Sequence, residues 1–179
     1  MMQSMSRYNK LVIKVGTNLI TKDNGLLHLA VLEHLVDQTA SIKAQGIDVV
    51  LVSSGAMGAG RPLISISDKE DNVVKRQVLA SVGQIPLLQT YRELFDRVGL
   101  TCAQVLATKE DFRDREHYLN MKNCFDGLLK HQVVPIVNEN DVVSVSELMF
   151  TDNDELAGFI TGMIDADALV ILTNVNGVY

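Results

Sequence analysis

Short apolar runs alternate with longer stretches of helical periodicity along the chain. Five runs rich in Val, Ile and Leu have the length of strands and lie at 11–15, 48–53, 101–108, 133–138 and 168–173. A continuous apolar run is typical of a parallel strand that is covered on both faces. Apolar residues at helical spacing predict helices between these strands, at about 27–45, 72–98, 116–132 and 154–164. Strands that alternate with helices predict an α/β fold with a mainly parallel central sheet.

Other segments depart from the regular strand and helix patterns. The segment 61–71 is polar and contains Pro62, so it is predicted to be a loop. Gly83 and Pro86 fall within the longest helical stretch and are expected to break it near 83–84. The segment 142–150 has the short alternating pattern of a hairpin. No internal repeat or linker divides the 179 residues, which predicts one domain.

The composition narrows the class of protein. Hydrophobic residues make up 47% of the chain, but no apolar run approaches the roughly 20 residues that cross a membrane. Residues 1–10 lack the apolar core of a signal peptide, so a cytoplasmic location is expected. The formal net charge of -6 is unlike that of a basic nucleic-acid-binding surface. Cys102 and Cys124 have no His near them at ligand spacing, so they are expected to be buried free thiols.

Glycine-rich turns follow the first two predicted strands. Lys14 lies in the first strand, and Gly16 and Thr17 come directly after its end. The segment 54–60, after the second strand, is dense in Gly and Ala. Glycine allows a backbone to approach a ligand closely, and successive exposed N–H groups in such a loop bind anions. With a lysine beside them, the two turns predict a site that handles a phosphoryl group.

Simpler explanations exist for each of these residues. Lys14 would also suit a strand end from which its ammonium group extends into solvent. The small residues of 54–60 also suit the close packing of a helix on a strand. A nucleophilic role for Ser54 is not favoured, because no His base is identified and the glycines of a nucleophile elbow are missing. No G-x-x-x-x-G-K-[ST] sequence is present, so a nucleotide would not be held by a P-loop.

Two polar clusters follow later in the chain. The first, 138–141, ends the fourth predicted strand, and the second, 151–155, opens the last predicted helix. Asn and Asp favour helix caps and turns, so both clusters have a purely structural explanation. Ligands of open α/β sheets, however, bind beyond the carboxyl ends of the strands, where both clusters are expected. Their amides and carboxylates are therefore candidates for binding an amino acid and for orienting a lysine.

At these residues the chain resembles the glutamate 5-kinases of the amino acid kinase family. The matching segments include VIKVGTNLI, VVLVSSGAMGAG, VVPIVNENDVVS and FTDNDELAG, and they occur in order over nearly the whole chain. The resemblance implies a three-layer α/β/α sandwich. It also implies transfer of a phosphoryl group from Mg-ATP to the γ-carboxylate of L-glutamate, the first step of proline biosynthesis.

The resemblance also implies roles for individual residues. The expected catalytic residues are Lys14 and Asp154, with Asp152 as the second choice for the role of Asp154. The expected glutamate-binding residues are Ser54, Gly55, Asn140, Asp141 and Asn153. The expected ATP-binding residues are Lys14, Gly16, Thr17, Thr173 and Asn174. Mg²⁺ is expected to be held mainly through the nucleotide phosphates, with no metal site on the protein. Feedback inhibition by proline and a homodimer or homotetramer are also implied.

Two departures from the family pattern limit these expectations. The family usually has Thr-Asp where this chain has Thr173-Asn174. The family also continues beyond Tyr179 with the rest of the ATP-binding half, so 1–179 is expected to be an incomplete amino acid kinase domain without a PUA domain. The chain alone is therefore expected to bind ATP weakly and to be inactive. A non-catalytic amino-acid-binding fragment and a kinase for another carboxylate or carbamate are the alternative hypotheses.

Overall fold

The computed structural model describes residues 8–22, 24–144 and 152–173, which form strands and helices in alternation. The strands are β1 (Lys10–Val15), β2 (Asp48–Ser53), β3 (Cys102–Ala107), β4 (Val134–Glu139) and β5 (Ala168–Leu172). The α-helices are α1 (Thr17–Ile20), α2 (Leu29–Lys43), α3 (Ala56–Gly60), α4 (Asn72–Arg97), α5 (Arg115–Lys130) and α6 (Asn153–Met163). A 3-10 helix, Lys109–Phe112, follows β3. The predicted strands and long helices are confirmed to within a residue or two at each end.

The strands form one sheet in the order β3-β4-β2-β1-β5, and every pairing is parallel. Val15 at the end of β1 is level with Ser53 on one side and Leu172 on the other. Ala107 of β3 is likewise level with Glu139 of β4. Because parallel strands in register end at the same edge, the residues that follow them meet there. The predicted α/β fold with a parallel sheet is confirmed.

Helices cover both faces of this sheet. On one face, Ile13 of β1 packs in a core with Leu87 of α4 and residues of α2. On the other face, Val12 of β1 packs in a core with Phe125 of α5 and residues of α6. Adjacent residues of β1 thus belong to opposite cores, as the pleat of a strand requires. This is the three-layer α/β/α arrangement that the resemblance implies.

The handedness of the connections explains which face each helix covers. The chain moves from β1 to β2 and then to β3 in one direction across the sheet, and α2 and α4 lie on the same face. It then moves through β4 to β5 in the opposite direction, and α5 and α6 lie on the other face. Right-handed connections must change face when their direction reverses. The order of the strands therefore determines the layers.

Helix α4 runs without a break through Gly83 and Pro86, so the interruption predicted near 83–84 is wrong. Pro86 removes a backbone donor, at a cost of about 3 kcal/mol in an isolated helix. Leu87 and Tyr91 follow it and are almost completely buried in the core. Burial of such side chains stabilises the fold by about 1.5–3 kcal/mol each, which is enough to hold the second half of the helix in line.

Gly83 has a packing role instead. A Cβ at Gly83 would lie 1.8 Å from the carbonyl oxygen of Ala56, and one at Gly60 would lie 2.1 Å from that of Leu79. Neither distance is compatible with a side chain, so the backbones of α3 and α4 touch because both residues are glycine. The small residues of 54–60 therefore include the short helix α3, which the sequence patterns do not predict. Their small size lets α3 pack directly on α4.

The two cysteines are not both buried, so this expectation is wrong. Cys124 is exposed on α5, and Cys102 is half-buried at the start of the edge strand β3. Phe125 and Leu129 form the buried face of α5, and Cys124 lies about 100° around the helix from Phe125. Burial, together with the nearby Asp96 carboxylate, raises the pKa of the Cys102 thiol.

Segment 61–71 contains turns but no helix or strand, as predicted. Of the hairpin predicted at 142–150, only residues 142–144 are described, and they form a turn on Asn140. The rest of that prediction lies outside the described residues. Among the helices in the described ranges, none is long and apolar enough to cross a membrane.

Replacing Gly83 with Ala is expected to lower the free energy of unfolding by about 2–4 kcal/mol, because the new methyl group overlaps the Ala56 carbonyl. Urea denaturation measures the change. Gly127→Ala is the matched control, because a Cβ there meets nothing within 4 Å. This control is expected to raise the free energy of unfolding by about 0.5–1 kcal/mol. Similar effects of the two substitutions would contradict the packing role of Gly83.

Asp167 is expected to make a pH-dependent contribution to stability. Its Oδ2 accepts hydrogen bonds from the backbone N–H groups of Asn9 (2.6 Å) and Lys10 (2.8 Å) at the start of β1. These bonds lower the pKa of the Asp167 carboxyl group. A lowered folded-state pKa stabilises the fold above the ordinary aspartate pKa, and the contribution is lost as the pH falls through the folded-state value.

Asp167→Asn keeps an oxygen acceptor and removes the charge. The variant is expected to be less stable than the unsubstituted protein at pH 7, and the difference is expected to shrink as the pH falls below about 4. Urea denaturation across this pH range measures it, with Asp37→Asn on the exposed side of α2 as the control. A difference that does not change with pH would exclude a contribution from the charge.

Candidate active site

The carboxyl edge of the sheet carries polar residues and glycines that follow four of its strands. They are Gly16 and Thr17 after β1, Ser54 and Gly55 after β2, Asn140 and Asp141 after β4, and Thr173 after β5. The start of α6 lies against the same edge, because Asn153 lines cavities there together with Thr17 and Ser54. Residues from distant parts of the chain thus share one surface.

Two adjoining cavities lie at this edge. The first, here called the acidic cavity, has a volume of about 260 Å³, and its own lining includes Gly55, Arg76, Asn138, Glu139 and Asp141. The second, here called the lysine cavity, has a volume of about 360 Å³, and its own lining includes Lys14, Gly16, Asn18 and Thr173. Both are lined by Thr17, Ser54, Asp152 and Asn153, here called the shared wall. The arrangement suits a ligand whose two ends differ in charge.

Lys14 lies on β1, an interior strand of the sheet, and lines the lysine cavity. Its ammonium nitrogen lies 2.5 Å from Oδ1 of Asp154, in the first turn of α6. The Lys14 side chain is only 12% exposed, unlike that of a lysine that extends into solvent. An ammonium group buried to this degree requires an anion beside it. The ion pair therefore joins β1 to the start of α6 and leaves a compensated cation at the cavity surface.

A chain of side-chain hydrogen bonds runs through the shared wall. Asn153 Nδ2 donates to Ser54 Oγ (2.7 Å) and to Asn138 Oδ1 (3.0 Å). Asn138 Nδ2 in turn donates to Gln84 Oε1 (3.1 Å). Because both hydrogens of the Asn153 amide are used, its carbonyl oxygen serves as an acceptor, and the hydroxyl of Ser54 can donate. Within the shared wall, Ser54 thus contributes a hydroxyl donor and Asn153 an amide oxygen acceptor.

The turn that carries Ser54 is held by a glycine and a buried phenol. Gly55 has a φ of 106°, in the left-handed region, and a Cβ there would lie 2.8 Å from Cδ1 of Ile20. Ser53 Oγ and the Tyr91 hydroxyl are 2.8 Å apart in the buried interior. Burial raises the pKa of the Tyr91 phenol, so the group stays neutral and hydrogen-bonded to Ser53.

The start of α6 has both a structural and a site role. The Asp152 carboxylate accepts hydrogen bonds from the backbone N–H groups of Asp154 (2.9 Å) and Glu155 (3.1 Å), so it caps the helix. Capping thus accounts for Asp152. It does not account for Asn153 and Asp154, whose side chains contact Ser54 and Lys14 across the sheet edge.

Arg76 of α4 is a site residue that the sequence patterns do not indicate. Its Nη2 donates to Glu139 Oε2 and its Nε donates to Asp141 Oδ1, both at 2.7 Å. The two carboxylate side chains are only 4% and 9% exposed. Two carboxylates close together at the end of a buried strand require a cation beside them. Their presence in the sequence therefore indicated that a basic residue would pair with them. The sequence alone does not say which cation of α4, Lys75 or Arg76, fills the role.

The structure brings most of the predicted site residues together. Those that line one or both cavities are Lys14, Gly16, Thr17, Ser54, Gly55, Asp141, Asp152, Asn153 and Thr173. Asn140 does not line either cavity, because its backbone forms the turn after β4 by accepting from Val143 and Ser144. Asn174 lies outside the described residues. In the described ranges, no group of three or more His, Cys, Asp or Glu residues is arranged to hold a metal ion.

Comparisons with known proteins agree over the length of this chain. Residues 9–179 match the profile of the amino acid kinase family. The glutamate 5-kinase of Chlorobaculum tepidum is 53% identical over 172 residues, which cover 96% of this chain and 48% of that protein. The glutamate 5-kinase of Bacteroides thetaiotaomicron is 48% identical with the same coverage, and that of Clostridium acetobutylicum is 42% identical over 98% of this chain and 66% of its own length. The chain spans about half the length of the first two relatives.

Replacing the Asp154 side chain is expected to lower the free energy of unfolding more when Lys14 is present than when Lys14 is also replaced. Asp154→Ala leaves a mostly buried ammonium group without its carboxylate, which is expected to lower the free energy of unfolding by about 1–3 kcal/mol. In the Lys14→Met background, the loss in free energy of unfolding caused by Asp154→Ala is expected to be smaller by at least about 1 kcal/mol. Urea denaturation measures both losses. The exposed pair of Arg92 and Asp96, 3.8 Å apart, is the control, with an expected coupling below about 0.5 kcal/mol. An equally small coupling for Lys14 and Asp154 would show that this pair does not hold α6.

Proposed function

The chain belongs to the amino acid kinase family, and we propose that it supplies the amino acid site and part of the phosphoryl-transfer site of a kinase that phosphorylates the γ-carboxylate of L-glutamate with ATP. This reaction would be the first step of proline biosynthesis. The observation that carries the proposal is that the shared wall, with Ser54 and Asn153 in it, lies between the acidic cavity and the lysine cavity, whose lysine is paired with Asp154. The relatives that match nearly the whole chain are named glutamate 5-kinases, and this supports L-glutamate as the substrate.

The acidic cavity suits the amino end of an amino acid. Glu139, Asp141 and Asp152 contribute three carboxylates there, and Arg76 contributes one cation. This excess of negative charge favours a further cation, such as an α-ammonium group. The Ser54 hydroxyl would donate to a substrate carboxylate, and the γ-carboxylate would extend past the shared wall toward Lys14.

Transfer of a phosphoryl group to a carboxylate depends mainly on positioning and charge neutralisation. The γ-carboxylate of glutamate is ionised at neutral pH, so its oxygen would attack the γ-phosphorus of ATP without a general base. The bond from that phosphorus to the bridging oxygen would break, and ADP would leave with the oxygen. The Lys14 ammonium group would neutralise charge on the transferred phosphoryl group. Asp154, 2.5 Å from that ammonium group, would hold it in place during transfer.

The lysine cavity fits an anionic ligand such as the phosphates of ATP. It combines the Lys14 ammonium group, the side-chain-free backbone of Gly16 and the hydroxyls of Thr17 and Thr173. ATP supplies the phosphoryl group, and Mg²⁺ held mainly by its phosphates would offset part of their charge. Asn174, next to Thr173, is proposed to continue the nucleotide contacts.

Two other functions explain the site less completely. A non-catalytic amino-acid-binding unit would have no use for a lysine paired at the far side of the shared wall. A kinase for a carbamate, or for a carboxylate without an amino group, would have no use for the excess of carboxylates around Arg76. Titration of the chain with L-glutamate and with dicarboxylates that lack the amino group distinguishes the second of these functions from the proposed one.

The resemblance to glutamate 5-kinases also supports proposals on regulation and setting. L-Proline has the α-ammonium and α-carboxylate groups of glutamate, so it is proposed to inhibit by competing for the acidic cavity. Assembly as a homodimer or homotetramer and a cytoplasmic location are proposed from the resemblance and the biosynthetic role.

The chain is expected to bind L-glutamate, and Asn153→Ala is expected to weaken this binding at least about tenfold, because the amide links Ser54 to the substrate. Isothermal titration calorimetry measures both affinities. Asn123→Ala, at an exposed position of α5, is the matched control and is expected to bind as the unsubstituted chain does. A well-folded chain that binds no L-glutamate, or binding that Asn153→Ala leaves unchanged, would refute the proposed amino acid site.

A further inference from the structure

We propose that Arg76 is a positioning residue that sets the amino-group specificity of the site by orienting Asp141 toward the α-ammonium group of the substrate. The inference rests on the proposed function and assigns a role to a residue that neither the motifs nor the comparisons single out. It concerns how the acidic cavity distinguishes an amino acid from a simple dicarboxylate.

The guanidinium group of Arg76 uses two different nitrogens for two different carboxylates. Nη2 binds Glu139 Oε2 and Nε binds Asp141 Oδ1, each at 2.7 Å. Because the guanidinium group is rigid and planar, it fixes the two carboxylates relative to each other as well as neutralising charge. A lysine, with a single charged atom, would not impose this geometry.

A second contact from α4 holds the same turn. Gln77, the residue after Arg76, donates from Nε2 to the backbone carbonyl oxygen of Val142 at 2.9 Å. Consecutive residues of α4 thus bind consecutive residues of the turn that begins at Asn140. The backbone of the turn is anchored at Asn140, whose N–H donates to the carbonyl oxygen of Ala107 at the end of β3. The side chain of Asp141, by contrast, is held by Arg76 of α4.

The charges around Arg76 are unequal. One guanidinium group is shared by two carboxylates whose side chains are almost completely buried. Arg76 occupies Oδ1 of Asp141, and Asp141 also lines the acidic cavity. The second oxygen of Asp141 is the acceptor that meets a substrate cation, and its direction is set by the bond to Arg76. Without Arg76, Glu139 and Asp141 would repel each other and Asp141 would turn away.

The test combines variants of Arg76 with ligands that lack one group of glutamate at a time. Glutarate lacks the α-ammonium group, and 4-aminobutyrate lacks the α-carboxylate group. Arg76→Met is expected to weaken binding of L-glutamate and of 4-aminobutyrate by about tenfold, but that of glutarate by less than about threefold. Arg76→Lys, which keeps the charge and loses the two-pronged contact, is expected to show an intermediate loss for the same two ligands.

Affinities are measured on the full chain by isothermal titration, or by ligand-observed NMR where binding is weak. Arg92→Met is the matched control, because Arg92 is an exposed arginine of the same helix and lines neither cavity of the site. A loss for L-glutamate and glutarate that spares 4-aminobutyrate would show that Arg76 binds the α-carboxylate directly, and it would overturn the inference. An equal loss for all three ligands, with lower thermal stability, would show a merely structural role and would also overturn it.

A double-mutant cycle tests whether Arg76 acts through Asp141. If it does, Arg76→Met added to Asp141→Asn is expected to weaken L-glutamate binding by less than about threefold beyond Asp141→Asn alone. A full additional tenfold loss would overturn the inference while leaving the proposed function intact. Failure of the unsubstituted chain to bind L-glutamate would instead overturn the proposed function, and this inference with it.

Discussion

The buried ammonium group of Lys14 is the constraint on which the site depends. Lys14 lies in a strand with neighbours on both sides, so its charge must be compensated within the protein. The compensating carboxylate, Asp154, belongs to the first turn of α6, and the ion pair therefore fixes that turn over the end of β1. Asn153 is then placed within hydrogen-bond distance of Ser54 at the end of β2. The ion pair thus orients the first turn of α6, while the rest of the helix is packed in the core through Leu156, Ala157 and Ile160.

A second constraint acts from the opposite layer through α4. The glycine contact with α3 brings α4 so close to the turn after β2 that its side chains reach the carboxyl edge of the sheet. Arg76 and Gln84, eight residues apart on α4, both contact residues of β4 or the turn after it. The acidic cavity is consequently built by β4 and α4 together, and Asn138 connects it to the shared wall.

The sequence predicts the parts of this fold that depend on local pattern. The strands were predictable because a run such as Val49–Val52 has no polar side to expose. The continuity of α4 was not, because the burial of Leu87 and Tyr91 that outweighs Pro86 is a tertiary effect. That the loops of the site lie together was predictable, because the residues that follow parallel strands meet at the carboxyl edge of the sheet.

Partners within the site were less predictable. Arg76 pairs with residues more than sixty positions away, and no local pattern distinguishes it from Lys75. The resemblance implies that Asn140 is a binding residue, and this stays a prediction. The structure adds that its backbone forms the turn after β4, which no side-chain motif reveals.

The two cations of the site, Lys14 and Arg76, are paired with different numbers of carboxylates. Lys14 is paired with one carboxylate, that of Asp154, and the Asp152 carboxylate of the shared wall also lines the lysine cavity, so the ammonium group is not left as a bare charge when the cavity is empty. Arg76 is matched by two carboxylates, so the acidic cavity keeps an excess negative charge. If both cations were fully exposed to ligand, the site would attract any phosphate at either end. Because each cation is bound to protein carboxylates first, the two cavities are consistent with the proposed ligand, an amino acid whose side chain ends in a carboxylate.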